Sequence, residues 1–230
     1  MFGKRLINTG GEAAVYTTDN LALDFVSKDL TTGSTTWTDR QASKVLTKSG
    51  STVYNSSSTL VDFTGGYWGN DSLIETLKDG SGDFSVEFYG ELNFSADYMI
   101  VAVQQTPSIS AFNWRQRTAG IQYFNYKNGI NDGSQVGQYS GKESGNNHIV
   151  LIWDTSLNVK AYINNVLQVT NTAGSGGAQW TSIDGMRIGS YEQDPSYFSS
   201  NMKMGVLRFY KGQLNSTEIE NNYDWAISNY

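Results

Sequence analysis

Short apolar runs separated by clusters of glycine, asparagine, serine and threonine recur from Leu21 to Tyr210. A chain with that rhythm has few choices but stacked antiparallel sheets. Leu21-Ala22-Leu23-Asp24-Phe25 opens the series, and Leu60-Val61-Asp62-Phe63 follows a Ser/Thr-rich loop and stops at Gly65-Gly66. In Phe84-Ser85-Val86-Glu87-Phe88-Tyr89 the two-residue period puts Phe84, Val86 and Phe88 on one face. Tyr98 to Val103 is apolar almost throughout, the pattern of a strand buried on both sides. Ile121 to Tyr126 runs into Asn128-Gly129, with Asp132-Gly133 beyond, and both dipeptides supply the positive φ of tight hairpins. His148 to Trp153, Val159 to Ile163 and Val166 to Val169 come next, with Asn164-Asn165 as the turn between the last two. Met186 to Gly189 and Met204 to Tyr210 complete the set. A single helix follows: Asn215 caps it, Glu218 completes a capping box, and Ile219, Tyr223, Ala226 and Ile227 share one face.

Residues 1–20 lack apolar alternation and carry Gly10-Gly11, so they are expected to form an N-terminal arm, with residues 21–230 as one domain. A chain of 230 residues lies within the range of a single all-β unit. It can bury about 70% of its unfolded surface without a disulfide or metal staple. Charged residues make up only 17% and the net charge is −6, which argues against tracking phosphates and so against nucleic acid as a partner. Cysteine is absent, favouring assembly in a reducing cytosol. Lys4 and Arg5 are not followed by an apolar stretch of signal-peptide length, and no window approaches a membrane-spanning run. Synthesis in a reducing cytosol without membrane insertion is the expectation.

The second half resembles the laminin-G-like, concanavalin-A-like family in order and spacing. His148-Ile149-Val150-Leu151-Ile152-Trp153-Asp154 is similar to that family's WHHVAVTWD strand, and Val159 to Leu167 to its VRLYVDGVLV hairpin. Met186-Arg187-Ile188-Gly189-Ser190 resembles its LRIGS strand, Gly205 to Tyr210 its VRIY strand, and Asn215 to Ile219 the start of its LSAEEI helix. Leu21 to Phe25 followed by Thr36-Trp37-Thr38-Asp39 is similar to the opening of laminin-G-like proteins of tailed phages. The opening Met1 to Gly10 looks like the start of many virion proteins of marine cyanophages. The resemblance spans roughly residues 20–228 and implies an all-β, two-sheet antiparallel jelly-roll sandwich with a short C-terminal helix.

That fold also hosts glycoside hydrolases, so catalysis is judged on residues. Glu87, Tyr89 and Glu91 stand at i, i+2 and i+4, where retaining enzymes of the family set carboxylates; here tyrosine replaces the central acid. Both carboxylates are expected to face solvent in the common strand of non-catalytic members. His148, the only histidine, stands at the family's structural histidine position and is expected to be a packed, hydrogen-bonded strand residue rather than a general base. No catalytic residue is assigned. With one histidine and no cysteine, zinc and iron–sulfur sites are excluded. Calcium stays open as a cofactor because it needs only carboxylate and carbonyl oxygens. The family's acidic pair, however, is replaced by Met204-Gly205 and its Asp-Gly turn by Asn164-Asn165, leaving Asp62, Asp71 and Asp194 as loop carboxylates and no assigned metal ligand.

Aromatic residues in loop-like contexts are the remaining lead, because Trp and Tyr stack on sugar rings and anchor interfaces. Trp68, Trp114, Tyr126 and Tyr191, with Arg115 and Arg117 beside Trp114, are the candidate glycan or partner contacts; Trp37 and Trp153 are assigned to the core. In the arm, Phe2, Leu6 and Ile7 beside Lys4 and Arg5 form an amphipathic piece able to add a strand to a partner's sheet edge. The expected function is a non-enzymatic phage virion protein, a capsid decoration, appendage or tail-fibre component. Its expected partners are other virion proteins, further copies of itself and a host-surface glycan. A freestanding carbohydrate-binding module is the alternative, and a glycoside hydrolase or polysaccharide lyase the third reading.

Overall fold

The alternating runs form strands, which assemble into two eight-stranded antiparallel sheets in a computed structural model describing residues 15–72, 83–106, 109–125, 135–141, 144–154, 158–172, 184–190 and 201–230. Along the chain the strands are β1 (Leu21–Val26), β2 (Thr36–Thr38), β3 (Val45–Gly50), β4 (Val53–Asn55), β5 (Leu60–Asp62), β6 (Gly66–Asn70), β7 (Phe84–Leu92) and β8 (Tyr98–Thr106). They continue as β9 (Ile109–Arg117), β10 (Gly120–Asn125), β11 (Gln135–Tyr139), β12 (Asn146–Trp153), β13 (Asn158–Ile163), β14 (Val166–Thr172), β15 (Gly185–Ile188) and β16 (Met202–Lys211), followed by helix α1 (Ser216–Asn229). One sheet, A, has the order β14-β13-β12-β7-β16-β5-β4, with β1 also pairing β16; the other, B, has the order β11-β10-β9-β8-β15-β6-β3-β2. Each expected strand is present, and Asn164 and Asn165 take φ of 50° and 63° between β13 and β14, as a two-residue hairpin demands. Asn128-Gly129 and Asp132-Gly133 lie outside the described residues.

The sheets meet face to face over an aromatic core. Phe84 and Trp153 of sheet A stack with centroids 4.5 Å apart, and Phe112 of sheet B meets Trp153 edge-on at 5.0 Å. Phe25 of sheet A packs on Trp37, which packs on Trp68, both of sheet B. Phe88 packs on Trp114. These edge-to-face contacts add about 0.5–1.5 kcal/mol per pair beyond the burial of area. Trp37 and Trp153 are core residues, as expected.

Trp68 and Trp114 are core residues too, which corrects their assignment to loops: both are buried, on β6 and β9 respectively. Residues 109–117 form a strand, so alternation sends Trp114 inward while Arg115 and Arg117 leave by the opposite face. No Trp–Arg patch forms there.

Part of the second face of sheet A is buried as well. Helix α1 lies across it, started by the expected capping box: the Asn215 side chain accepts from Thr217 N and Glu218 N, and Asn215 N donates to Glu218 Oε2 at 2.7 Å. Its buried face carries Ile219, Asn222, Trp225 and Ala226, rotated from the expected stripe, and Ile227 is exposed. The rotation follows from Asn222, a polar residue drawn inward by partners on the sheet. Gly205 marks a bulge in β16 over which the Tyr230 ring closes; a Cβ there would come within 2.9 Å of that ring. The Tyr230 hydroxyl donates to Gly205 O at 2.7 Å.

Candidate functional site

Two rows of charge cross the outer face of sheet A, and strand register builds both. In the first row, Glu87 of β7 stands opposite Arg208 of β16, which stands opposite Asp24 of β1. Arg208 Nη1 donates to Glu87 Oε1 at 3.0 Å and Nε donates to Asp24 Oδ1 at 2.8 Å, with no side-chain exposure at any of the three. The guanidinium carbon lies 3.7 Å from the Tyr16 ring centroid and 4.4 Å from that of Trp225, a desolvated cation–π arrangement. Glu87 Oε2 accepts from Tyr210 Oη and Asn222 Nδ2, both at 2.8 Å, while His148 Nε2 stands 3.1 Å from Oε1. Asp24 Oδ2 accepts from Tyr16 Oη at 2.8 Å, and Asn222 Oδ1 accepts from Thr17 N at 2.8 Å.

Burial pushes the Glu87 carboxyl up, but the Arg208 charge and the hydrogen bonds from His148 and Tyr210 outweigh it and hold it at about 2. Burial and the neighbouring Glu87 charge push the Tyr210 hydroxyl well above its ordinary value. Glu87 therefore stays ionised and Tyr210 neutral. The expected solvent-facing position of Glu87 is corrected: the side chain does leave the core face, but α1 covers it. His148 is the packed strand residue that was expected. Tyr16 and Thr17, placed by the sequence in the expected arm, belong to this cluster and pack with the domain.

The second row lies beyond the helix and is open. Asp62 of β5 stands opposite Lys203 of β16, which stands opposite Glu91 of β7. Lys203 Nζ donates to Glu91 Oε2 at 2.7 Å, with both side chains nearly half exposed. That hydrogen bond raises the Lys203 ammonium above its ordinary value, so it stays protonated. The row floors a polar cleft of about 110 Å³ lined by Asp62, Glu91, Asn93, Asn201, Met202 and Lys203.

No protein-family model matches the chain, and no curated protein sequence matches it either. Solved structures do. Botulinum neurotoxin type C, whose cell entry depends upon interaction with two ganglioside molecules, aligns over 90% of this chain and 51% of its own, with a TM-score of 0.65 at 12% identity. The binding domain of botulinum neurotoxin DC in complex with SialylT aligns over 90% and 52%, with a TM-score of 0.59 at 13% identity. Trypanosoma rangeli sialidase in complex with sialic acid aligns over 95% and 35%, with a TM-score of 0.58 at 14% identity. The likeness is one of fold. It makes the chain a jelly-roll-like two-sheet sandwich spanning about half the length of the toxin chains and about a third of the sialidase chain.

Against that architecture the sequence-derived contacts scatter. Trp68 and Trp114 are buried where no ligand reaches them. Arg117 Nε donates to Asp97 Oδ2 at 2.8 Å near the end of β9, and Arg115 is half-buried on the same strand face. Tyr126, Tyr191 and Asp194 lie outside the described residues, as do Phe2, Lys4, Arg5, Leu6 and Ile7. Asp71 is held by Arg187, whose Nε and Nη2 donate to its two oxygens at 3.1 and 3.0 Å. Among the described residues no three His, Cys, Asp or Glu side chains gather as metal ligands would. The open row was missed because Asp62, Lys203 and Glu91 sit on three segments far apart in sequence, and only pairing register joins them.

Proposed function

We propose that this chain is a non-enzymatic adhesion and assembly sandwich, a structural component of a tailed-phage virion such as a capsid decoration, appendage or fibre-associated protein. The observation that carries this reading is the fate of the acid–base residues. Glu87 and His148, the pair best suited to proton transfer, have no solvent exposure; Glu87 is committed to Arg208, Tyr210 and Asn222, and His148 Nε2 to Glu87. A general acid or base must come within hydrogen-bond reach of the substrate proton, and neither can. The fold neighbours include toxin domains described with gangliosides or sialylated ligands, which supports adhesion to a host-surface glycan. The phage-like openings at Met1 and at Leu21 to Asp39 support a virion location, with other virion proteins and further copies of the chain as partners.

The reading requires no cofactor: chelation of calcium is expected to leave the melting temperature unchanged, whereas loss of a site saturated at 100 times its Kd would remove about 2.7 kcal/mol. The test of the main reading is mass spectrometry of purified virions, together with incubation on host glycans and an assay for new reducing ends. Presence in the particle without glycan cleavage is expected. Absence from particles would sink the virion assignment, and released reducing ends would sink the non-enzymatic one. A freestanding carbohydrate-binding module is the second reading, favoured by the open Asp62–Lys203–Glu91 cleft, which needs no assembly to be presented.

A further inference from the structure

We infer that the Asp62–Lys203–Glu91 cleft is a binding site for the ring of a neutral sugar. This rests on the adhesion reading above and adds to it a location and a charge selectivity. The two charge rows on sheet A share the order carboxylate, cation, carboxylate and share strands β7 and β16. The row under α1 is closed to solvent, and all four carboxylate oxygens of Asp24 and Glu87 accept from protein donors, although Arg208 Nη2 and His148 Nδ1 are buried without a partner. The row beyond the helix keeps unused capacity: Asp62 Oδ1 accepts from Thr64 N at 3.0 Å and Glu91 Oε2 from Lys203 at 2.7 Å. Asp62 Oδ2 and Glu91 Oε1 accept from no described residue.

Asp62 and Glu91 stand two strand spacings apart, about 9.6 Å between backbones. Lys203 stands between them with its ammonium on Glu91, so the three polar ends form one row along the wall of the cleft. Carboxylates accept from hydroxyl pairs, the ammonium donates to ring or hydroxyl oxygens, and Asn93 and Asn201 at the rim offer amides. Two carboxylates against one ammonium leave the cleft at a net single negative charge, on a chain of net charge −6. An anionic sugar meets repulsion there, so neutral rings are favoured over sialylated ones. The Lys203 ammonium occupies Glu91 Oε2 and repels a bare metal cation, which weakens the site for one.

The experiment is a printed array of glucose-, galactose- and mannose-terminated oligosaccharides beside their sialylated counterparts, probed with the whole chain and with Asp62→Ala and Lys203→Ala. Wild type is expected to bind neutral sugars, and each substitution to weaken that binding at least tenfold. Melting temperatures should stay within about 2 °C, because both positions are near the surface. Undiminished binding by both variants would move the site elsewhere and leave glycan adhesion standing. Preference for sialylated glycans would overturn the charge argument. No binding by wild type to any sugar would remove glycan adhesion and the cleft together.

Discussion

Replacing Glu87 by glutamine keeps the shape of the side chain and removes its charge, so it separates an exposed strand carboxylate from a buried one. An exposed carboxylate costs within about ±0.5 kcal/mol when neutralised. The buried Glu87 instead loses charge-assisted bonds to Arg208, Tyr210 and Asn222, and the new amide donates toward groups that are themselves donors. Its carboxyl is held at about 2 against an ordinary 4.5, a gap worth about 3 kcal/mol of stability at neutral pH. Because the folded value lies below the unfolded one, that stability is complete above about pH 4.5 and drains away as pH falls through 2. Urea titration followed by tryptophan fluorescence at pH 7 should place Glu87→Gln about 3 kcal/mol below wild type, and thermal melting about 6–12 °C lower. Between pH 5 and 2.5 the gap between the two proteins should narrow, since acid removes from wild type what the substitution has already removed. A variant within 0.5 kcal/mol of wild type, or a gap that stays constant with pH, would mean that Glu87 does not sit in the Arg208 network.

Arg208→Lys should destabilise by about 3–5 kcal/mol despite keeping the charge, because an ammonium cannot serve Asp24 and Glu87 together while lying over the Tyr16 and Trp225 rings; equilibrium unfolding checks it. Trp114→Ala should cost about 3–5 kcal/mol in the same assay, as a large buried aromatic does, whereas a surface contact would leave stability unchanged. Deleting residues 1–14 should leave the melt intact, while deleting 1–18 should lower it by several degrees, since the longer cut removes the Tyr16 ring from Arg208 and the Thr17 amide from Asn222; equal melts for the two truncations would contradict the cluster.

Much of the sandwich was legible because its longer strands alternate or run apolar, and because Asn164-Asn165 and Asn215 to Glu218 carry their own turn and cap chemistry. What escaped notice did so for separate reasons. β2, β4 and β6 are short, and Gly66-Tyr67-Trp68-Gly69-Asn70 is glycine-flanked, so its tryptophan looked like a loop residue. β9 did carry a signal: Phe112 and Trp114 alternate with Asn113 and Arg115, and that period would have sent Trp114 inward. Glu87 was placed on the correct face of its strand, yet exposure of that face was decided by a helix more than a hundred residues later. The clue was in β12, where Val150 and Ile152 as well as Ile149 and Leu151 are apolar, so that both faces of the sheet needed cover.

Three strands that pair edge to edge each carry one charge just before an inward phenylalanine: Asp24-Phe25 in β1, Glu87-Phe88 in β7 and Arg208-Phe209 in β16. A slip of one residue between any two of them would turn a charge into the aromatic core and a phenylalanine out under the helix. A slip of two would separate Arg208 from a carboxylate and leave buried charge unmatched. Buried ion pairs contribute little net stability against an apolar substitute of the same shape, but breaking one costs several kcal/mol. The row thus acts chiefly through the misalignments it penalises, fixing β16 between β1 and β7. The Met204–Val206 bulge in β16 then lets Lys203 rejoin the outer face five residues before Arg208. The same register that seals Asp24, Arg208 and Glu87 under α1 therefore delivers Asp62, Lys203 and Glu91 side by side in the open cleft, so the structural lock and the candidate binding surface are two consequences of one strand alignment.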